Sequence, residues 1–554
     1  MEKGYPAVRG PLAVGVRLDE NVYVNMRDGV KLAVDIYRPE ADGSYPAILS
    51  ISPYIKELQQ QPPILSHSIE AGATAFFVPE GYIHIIASVR GTGFSQGQFN
   101  LLDTKEQQDG YDLVEWVAKQ SWCDGNVGML GDSYFAWSQY YTATQQPPHL
   151  KCIAPWDGGT DVYRDLCYQG GIFFSSFMSM WGVDTIRQCI WPGPVQGKFP
   201  PANFFADLAG YVEDGPYYWE RSSSVKLSKI KVPVLNMVVG HSNLHSRGQL
   251  YGYSKIKSPQ KLLVMPPTPH SHILFLQSQP VNEHILRWFD YWLKGIDTGI
   301  MDEPPVAIFD AATQEWRYEN EYPLARTEWT EFYLRSNPVG TAMEPPYGLI
   351  SLEPTGDEEP DKYMTPDCLE LVASGKPVLG YATPPLDTDV RVCGPLSAVL
   401  YGSSTTRDTM WFVRVGDIAP DNTMSLLTRG NLKASYREID ETKSRPGQPY
   451  HPFRNPVLPE VGKVYEYQIE ITPIFHTFKA GHKIWMQIAS DDFDYQMRLH
   501  TIPTSEMLPV PAENAIYHDS AHPSHLLLPV IPDAPIIKPV SSPVSQIKWP
   551  LRLK

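Results

Sequence analysis

"GMLGDSYFAWSQ", residues 128–139, is the stretch on which the fold turns. A short apolar run, Val127 to Leu130, meets Gly131-Asp132-Ser133, and the residues that follow have helical character. A strand that breaks at a serine and resumes at once as a helix is a nucleophile elbow, a turn so tight that the hydroxyl stands exposed above the sheet edge. The usual glycine two residues after the serine is absent, because Phe135 stands there. On this stretch alone Ser133 is open to two readings, a nucleophile or a serine in an ordinary turn.

The flanking sequence supplies the sheet that such an elbow needs. Residues 21–38, "NVYVNMRDGVKLAVDIYR", alternate on both sides of Arg27-Asp28-Gly29, a hairpin signal. "PAILSIS" (46–52) and "YIHIIASV" (82–89) are continuous apolar runs, as expected of strands buried on both faces of a parallel sheet. "KEQQDGYDLVEWVAKQ" (105–120) carries its apolar residues at helical spacing, and "KCIAPW" follows the elbow helix as another strand. That alternation is βαβ winding. It lapses over residues 158–228, an aromatic and Met-rich stretch with Pro-rich loops, and resumes with "VPVLNMVVG" (232–240), "QKLLVMPP" (260–267) and the amphipathic "NEHILRWFDYWLKG" (282–295). Beyond Leu324 the pattern becomes short alternating strands between turn residues.

These rhythms predict an α/β-hydrolase domain in two parts, residues 1–157 and 229–324. A helical cap is inserted at 158–228, and a C-terminal jelly-roll-like β-sandwich spans 325–554. The tail from about Pro529 reads as extended over the surface.

A chain of 554 residues exceeds one hydrophobic core, in keeping with that division. The net charge of −16 argues against nucleic acid as a partner, since phosphate binding needs clustered Lys and Arg. No stretch has the apolar length of a membrane span, and the first residues lack a signal-peptide core, so a cytoplasmic protein is expected. Six cysteines fall without metal-like spacing and read as buried free thiols. No metal or organic cofactor is implied. The expected partner is a small-molecule substrate, with a homo-oligomer compatible with the sequence.

Several stretches together resemble one family. They are "MRDGVKLAVDIYRP", "SPYIKE", "VRGTGFSQGQF", "DGYDLVEWVAKQSWCDGNVGMLGDSYFA", "LKCIAPWDGGTDVYR" and "RWFDYWLKG", with fainter echoes in "TRDTMWFVRVGDI" and "FKAGHKIWMQIASDDF". Their order and content resemble the cocaine esterase (CocE/NonD) family, relatives of X-Pro dipeptidyl peptidases and α-amino acid ester hydrolases. In that family the elbow reads G-x-S-Y-x-G, and the place of its last glycine holds Ala136 here. The resemblance implies that Ser133 is the nucleophile and that the backbone N–H of Tyr134 and the hydroxyl of Tyr54, from the P-Y-x-K motif, form the oxyanion hole. It implies His270 as the base, with His272 a structural neighbour. It also places Trp156, Cys167, Tyr168 and His245 near the substrate, each equally readable as packing.

The family's acid, in G-W-Y-D, aligns with Gly240-His241-Ser242-Asn243, so a carboxylate has become the amide of Asn243. Asn243 can hold the histidine ring but brings no charge to oppose the imidazolium. The nearest acids in sequence, Asp132 and Glu283, have no motif behind them. The expected activity is therefore serine hydrolysis of an ester or amide with an atypical Ser-His-Asn triad. The alternative is a non-hydrolytic step on a small hydrophobic molecule. An aminopeptidase is disfavoured, because the cap sequence shows no carboxylate cluster to receive a substrate ammonium.

If the missing charge limits the site, Asn243→Asp raises hydrolysis of an aryl ester by as much as ~10³- to 10⁴-fold, the reverse of the serine-protease Asp-to-Asn loss. A carboxylate from elsewhere serving the same histidine would leave the rate unchanged. Steady-state kinetics of the variant decide between the two.

Overall fold

The computed structural model describes residues 12–60, 69–190, 204–240, 242, 244–266, 278–336, 340–341, 348–353, 356–365, 377–490, 511–532, 537 and 542–547. Within them the α/β-hydrolase domain is a single ten-stranded sheet. Its strands are β1 (Val16–Asn25), β2 (Lys31–Pro39), β3 (Tyr45–Ser52), β4 (Ile83–Ser88), β5 (Cys123–Asp132) and β6 (Leu150–Trp156). After β7 (Tyr168–Gln169) and β8 (Ile172–Phe173), which form a separate hairpin in the cap, come β9 (Val234–Val239), β10 (Gln260–Met265), β11 (Val306–Asp310) and β12 (Glu315–Glu319).

The order across the sheet is β1-β2-β4-β3-β5-β6-β9-β10-β11-β12. From β4 to β11 all neighbours are parallel, while β1, β2 and β12 run antiparallel to theirs. The apolar runs read from sequence explain the centre: β4 and β9 are buried at every residue, and β3 at every residue but its first. Helices cover both faces, as a sheet without a polar face requires. The helix Gln279–Lys294 lays Val281, Ile285, Trp288 and Phe289 against Leu130, Ala154 and Trp156.

Between β6 and β9 the chain forms the cap from short helical segments rather than long helices. Its first turn, Val162–Cys167, is π-helical and starts at Asp161, whose carboxylate accepts the N–H groups of Tyr163 and Arg164. Asp161, Asp165 and Asp214 form a carboxylate cluster that the sequence reading did not foresee, and arginines occupy it. Arg164 pairs with Asp161 at 3.2 Å and Asp214 at 2.5 Å, and Arg247 pairs with Asp165 at 2.8 Å and Glu470 at 2.9 Å.

The C-terminal domain is β-rich, as expected. Its twelve strands form one continuous, mostly antiparallel sheet that curls until it nearly closes. The long strand Val390–Ser404 pairs with Tyr465–Phe478 on one side and with Ala512–Tyr517 and His525–Val530 on the other. This domain and the hydrolase sheet share a core in which Cys393, Phe475 and Ile531 meet Val264, Val306 and Ile308. The tail does more than lie on the surface: Val544 and Ile547 are buried against the helix Gln279–Lys294, and Ile537 bridges to Tyr318. Five cysteines are buried free thiols, and Cys368 lies outside the described residues. No helix among the described residues is long and apolar enough to cross a membrane.

Arg164 binds three parts of the molecule, since its second nitrogen also donates to the His451 carbonyl at 2.8 Å and its guanidinium lies 4.7 Å from the Tyr450 ring centre. Removing one partner of a buried pair leaves an uncompensated charge. Arg164→Ala is therefore expected to destabilise the protein by ~3–5 kcal/mol. Denaturant unfolding checks this, and an unchanged midpoint would show that the pairing holds nothing together.

Candidate active site

The parallel order of β3 and β5 is what builds the site, because neighbouring parallel strands bring their C-terminal ends together. β5 ends at Asp132, and Ser133 adopts φ 56° and ψ −118° before the helix Tyr134–Thr144 begins. Its N–H donates to the Trp156 carbonyl at 3.0 Å, which ties the turn to the end of β6. Two glycines make the turn possible. Gly131 has φ 137°, and a Cβ there would overlap Phe135 and stand 3.0 Å from the Glu70 carbonyl oxygen. Gly158 faces Ala136, and a Cβ there would come within 2.8 Å of the Ala136 methyl. So the family's small residue is here an alanine whose methyl fills space that Gly158 leaves. Phe135 is fully buried, with its ring edge-on to Tyr54 at 6.2 Å.

Tyr54 lies just beyond β3 and lines the same pocket as Ser133, with its hydroxyl in the electrostatic reach of that side chain. The same oxygen accepts the indole N–H of Trp181, from the cap, at 2.9 Å. Burial, and then the charge of Glu70, push the phenol well above its usual range, so Tyr54 is a neutral donor at ordinary pH. The Tyr134 N–H opens the helix and has no intrahelical acceptor. The two groups beside Ser133 with the chemistry to stabilise an oxyanion are the Tyr54 hydroxyl and the Tyr134 N–H.

The Tyr134 side chain points elsewhere. Its hydroxyl donates to Glu106 at 2.7 Å, and Glu106 also accepts the Leu102 N–H at 2.9 Å. Burial lifts the Glu106 carboxyl to about 8. The pair fixes the turn at Leu101 and Leu102, both in left-handed backbone, as a wall of the pocket.

That pocket opens over Ser133 and is narrow, with a cavity volume of about 20 Å³. Its walls are Leu101, Leu102, Trp137, Leu166, Phe177 and Leu244, and Trp181 and His245 add polar atoms. Trp181 was not singled out in the sequence. It stacks on Phe177 at 6.0 Å and on Tyr134 at 6.3 Å, so it is both wall and orienting donor. The only signal for it was an aromatic in an aromatic-rich cap, which reads first as packing.

Ser133, Tyr54, Tyr134 and His245 are brought together. Trp156, Cys167 and Tyr168 are placed in packing, away from the described pocket lining. Trp156 ends β6 with its ring in the core against the helix Gln279–Lys294, and it serves the elbow through its carbonyl. Cys167 is fully buried in the cap, with its thiol pushed well up by burial. Tyr168 stacks on Tyr163 at 5.0 Å and donates to the Ala209 carbonyl at 3.2 Å. Glu283 sits on the helix Gln279–Lys294, bonded to Gln279. His270, His272 and Asn243 lie outside the described residues. No group of three His, Cys, Asp or Glu able to hold a metal occurs among the described residues.

Two family models match successive parts of the chain. The X-Pro dipeptidyl-peptidase (S15 family) model matches residues 28–272, and that for the X-Pro dipeptidyl-peptidase C-terminal non-catalytic domain matches 298–527. Cocaine esterase of Rhodococcus sp. (strain MB1 Bresler) is 28% identical, over 92% of this chain and 98% of that protein. A CocE/NonD family hydrolase from Staphylococcus aureus superposes with a TM-score of 0.81 at 23% identity, covering 93% of this chain and 94% of that one. An α-amino acid ester hydrolase superposes with a TM-score of 0.73 at 18% identity, covering 96% and 99%.

The two groups beside Ser133 yield a graded expectation. Tyr54→Phe lowers kcat on an aryl ester by ~10²-fold or more, as for loss of one oxyanion donor. Trp181→Phe keeps the wall and loses only the orienting N–H, so its loss is smaller, on the order of 10-fold for one hydrogen bond. Equal rates in Tyr54→Phe and wild type would remove Tyr54 from the oxyanion hole.

Proposed function

The chain belongs to the CocE/NonD family of α/β-hydrolases, whose members are serine esterases and peptidases, and on that premise we propose that it hydrolyses an ester or amide of a small hydrophobic molecule through an acyl-enzyme on Ser133. The observation that carries this reading is the neutral Tyr54 hydroxyl beside a serine in an elbow at the floor of an apolar pocket.

In the proposed reaction Ser133 Oγ attacks the substrate carbonyl carbon while His270 takes its proton. The carbonyl oxygen gains the charge between the Tyr54 hydroxyl and the Tyr134 N–H. Collapse of this intermediate expels the leaving group, which receives the proton from the imidazolium, and water then repeats the sequence on the acyl-enzyme. Asn243 stands at the place of the family's acid.

The pocket walls favour a compact, apolar acyl group, and among the described residues no cation or carboxylate lines them to demand a charged one. The neutral residue at 243 supports a second reading, a non-hydrolytic step on a small molecule with weak esterase activity. Intact Ser133 and Tyr54 favour the first.

A fluorophosphonate probe should label the wild-type protein, and Ser133→Ala should abolish both labelling and ester hydrolysis. Across p-nitrophenyl esters, kcat/KM should fall as the acyl chain outgrows the pocket. Labelling that survives Ser133→Ala would place the nucleophile elsewhere.

A further inference from the structure

Leu101 and Leu102 are consecutive residues in left-handed backbone, with φ of 34° and 55°, and both are fully buried in the pocket wall. Neither is glycine, so the conformation is strained and persists only where its surroundings enforce it. The first turn of the helix Thr104–Ala118 enforces it. Asp103 caps that helix by accepting the Glu106 N–H at 3.0 Å, and Glu106 reaches back so that its Oε2 accepts the Leu102 N–H at 2.9 Å. This is a capping box shifted by one residue. Gln107 closes the other side, its Nε2 donating to the Leu102 carbonyl at 2.9 Å.

Both of these buried side chains are themselves held. Glu106 Oε1 accepts the Tyr134 hydroxyl at 2.7 Å, and Gln107 Nε2 also donates to the Glu220 carbonyl of the cap at 2.8 Å. The wall is thus tied to the residue after the nucleophile and to the cap. Leu166, Phe177 and Trp181 stand on short cap segments, whereas Leu102 can shift only by breaking its bonds to Glu106 and Gln107. The cavity left over Ser133, about 20 Å³, has room for roughly one water-sized group. In acyl transfer the alcohol departs while the acyl group stays on the serine through both steps, so the acyl group is what this space must hold.

We propose that the Leu101–Leu102 turn restricts the acyl group to acetyl, making acetate esters the substrate class, and that Glu106 is the positioning residue that holds the turn in place. The proposal rests on the Ser133 hydrolase reading given above. Acetyl presents one methyl beyond its carbonyl carbon, which the space accepts. Each further methylene meets a leucine wall that the hydrogen bonds of Leu102 keep from yielding. Glu106 touches no substrate and acts only through the position of Leu102.

Steady-state kinetics on p-nitrophenyl acetate, butyrate and hexanoate test this. Wild-type kcat/KM should fall at least ~10-fold from acetate to butyrate, the discrimination a hydrophobic pocket exerts on an extra methylene. At least one of Leu101→Ala and Leu102→Ala should raise the hexanoate-to-acetate ratio of kcat/KM by ~10-fold or more. Glu106→Ala, which frees the Leu102 N–H, should raise the same ratio, and Glu106→Gln, which keeps an acceptor oxygen, should retain the wild-type ratio. A purely structural role for Glu106 would lower all three rates together and leave the ratio unmoved. Equal wild-type rates on acetate and butyrate overturn the proposal, and that outcome needs no variant to fold. A ratio unmoved in both leucine variants overturns it as well, and an unmoved ratio in Glu106→Ala removes Glu106 from it. Ser133→Ala separates the two claims: hydrolysis that survives it defeats the hydrolase reading, whereas Ser133-dependent hydrolysis indifferent to chain length defeats the acyl-size proposal alone.

Discussion

A serine held in left-handed backbone at the end of β5 is the constraint from which the rest of the site follows. The conformation costs ~1–3 kcal/mol, and neighbouring groups hold it in place. The Trp156 carbonyl receives the Ser133 N–H, Gly131 lets the chain pass Phe135, and Gly158 admits the Ala136 methyl. Each of these contacts comes from β6 or from the residue beside the turn. The elbow is therefore a property of the packed sheet rather than of a local motif. Because β3 is the other neighbour of β5, Tyr54 arrives beside Ser133 through the same packing.

The electrostatics of the site follow from burial. Tyr54 is kept protonated, so it can donate to a developing oxyanion without carrying charge itself. Glu106 is lifted toward neutrality and works as an acceptor that fixes Tyr134 and Leu102. The pocket above the elbow is lined by leucines and aromatics.

Much of the fold was legible because parallel strands buried on both faces are written as unbroken apolar runs, as in "PAILSIS" and "VLNMVV". In the C-terminal domain the alternation is plainest in strands such as Tyr465–Phe478, whose first half turns one face outward. The docked tail was not, since Val544 and Ile547 are two apolar residues in a Pro-rich stretch with no periodicity. In the site, Ser133, Tyr54 and Tyr134 were readable from short motifs. Trp181 was hidden because its role depends on where one indole N–H points. Trp156, Cys167 and Tyr168 were placed by alignment to relatives, and their contacts here are packing.

The account stands on the claim that Ser133, the Tyr54 hydroxyl and the Tyr134 N–H form one acyl-transfer centre. A crystal structure of the protein inactivated with an alkyl phosphonate tests this most directly, since the phosphonyl oxygen mimics the oxyanion. The account predicts phosphorus bonded to Ser133 Oγ, with that oxygen about 2.7–3.1 Å from both donors. An adduct whose oxygen turns away from Tyr54, or one formed on another residue, would contradict it.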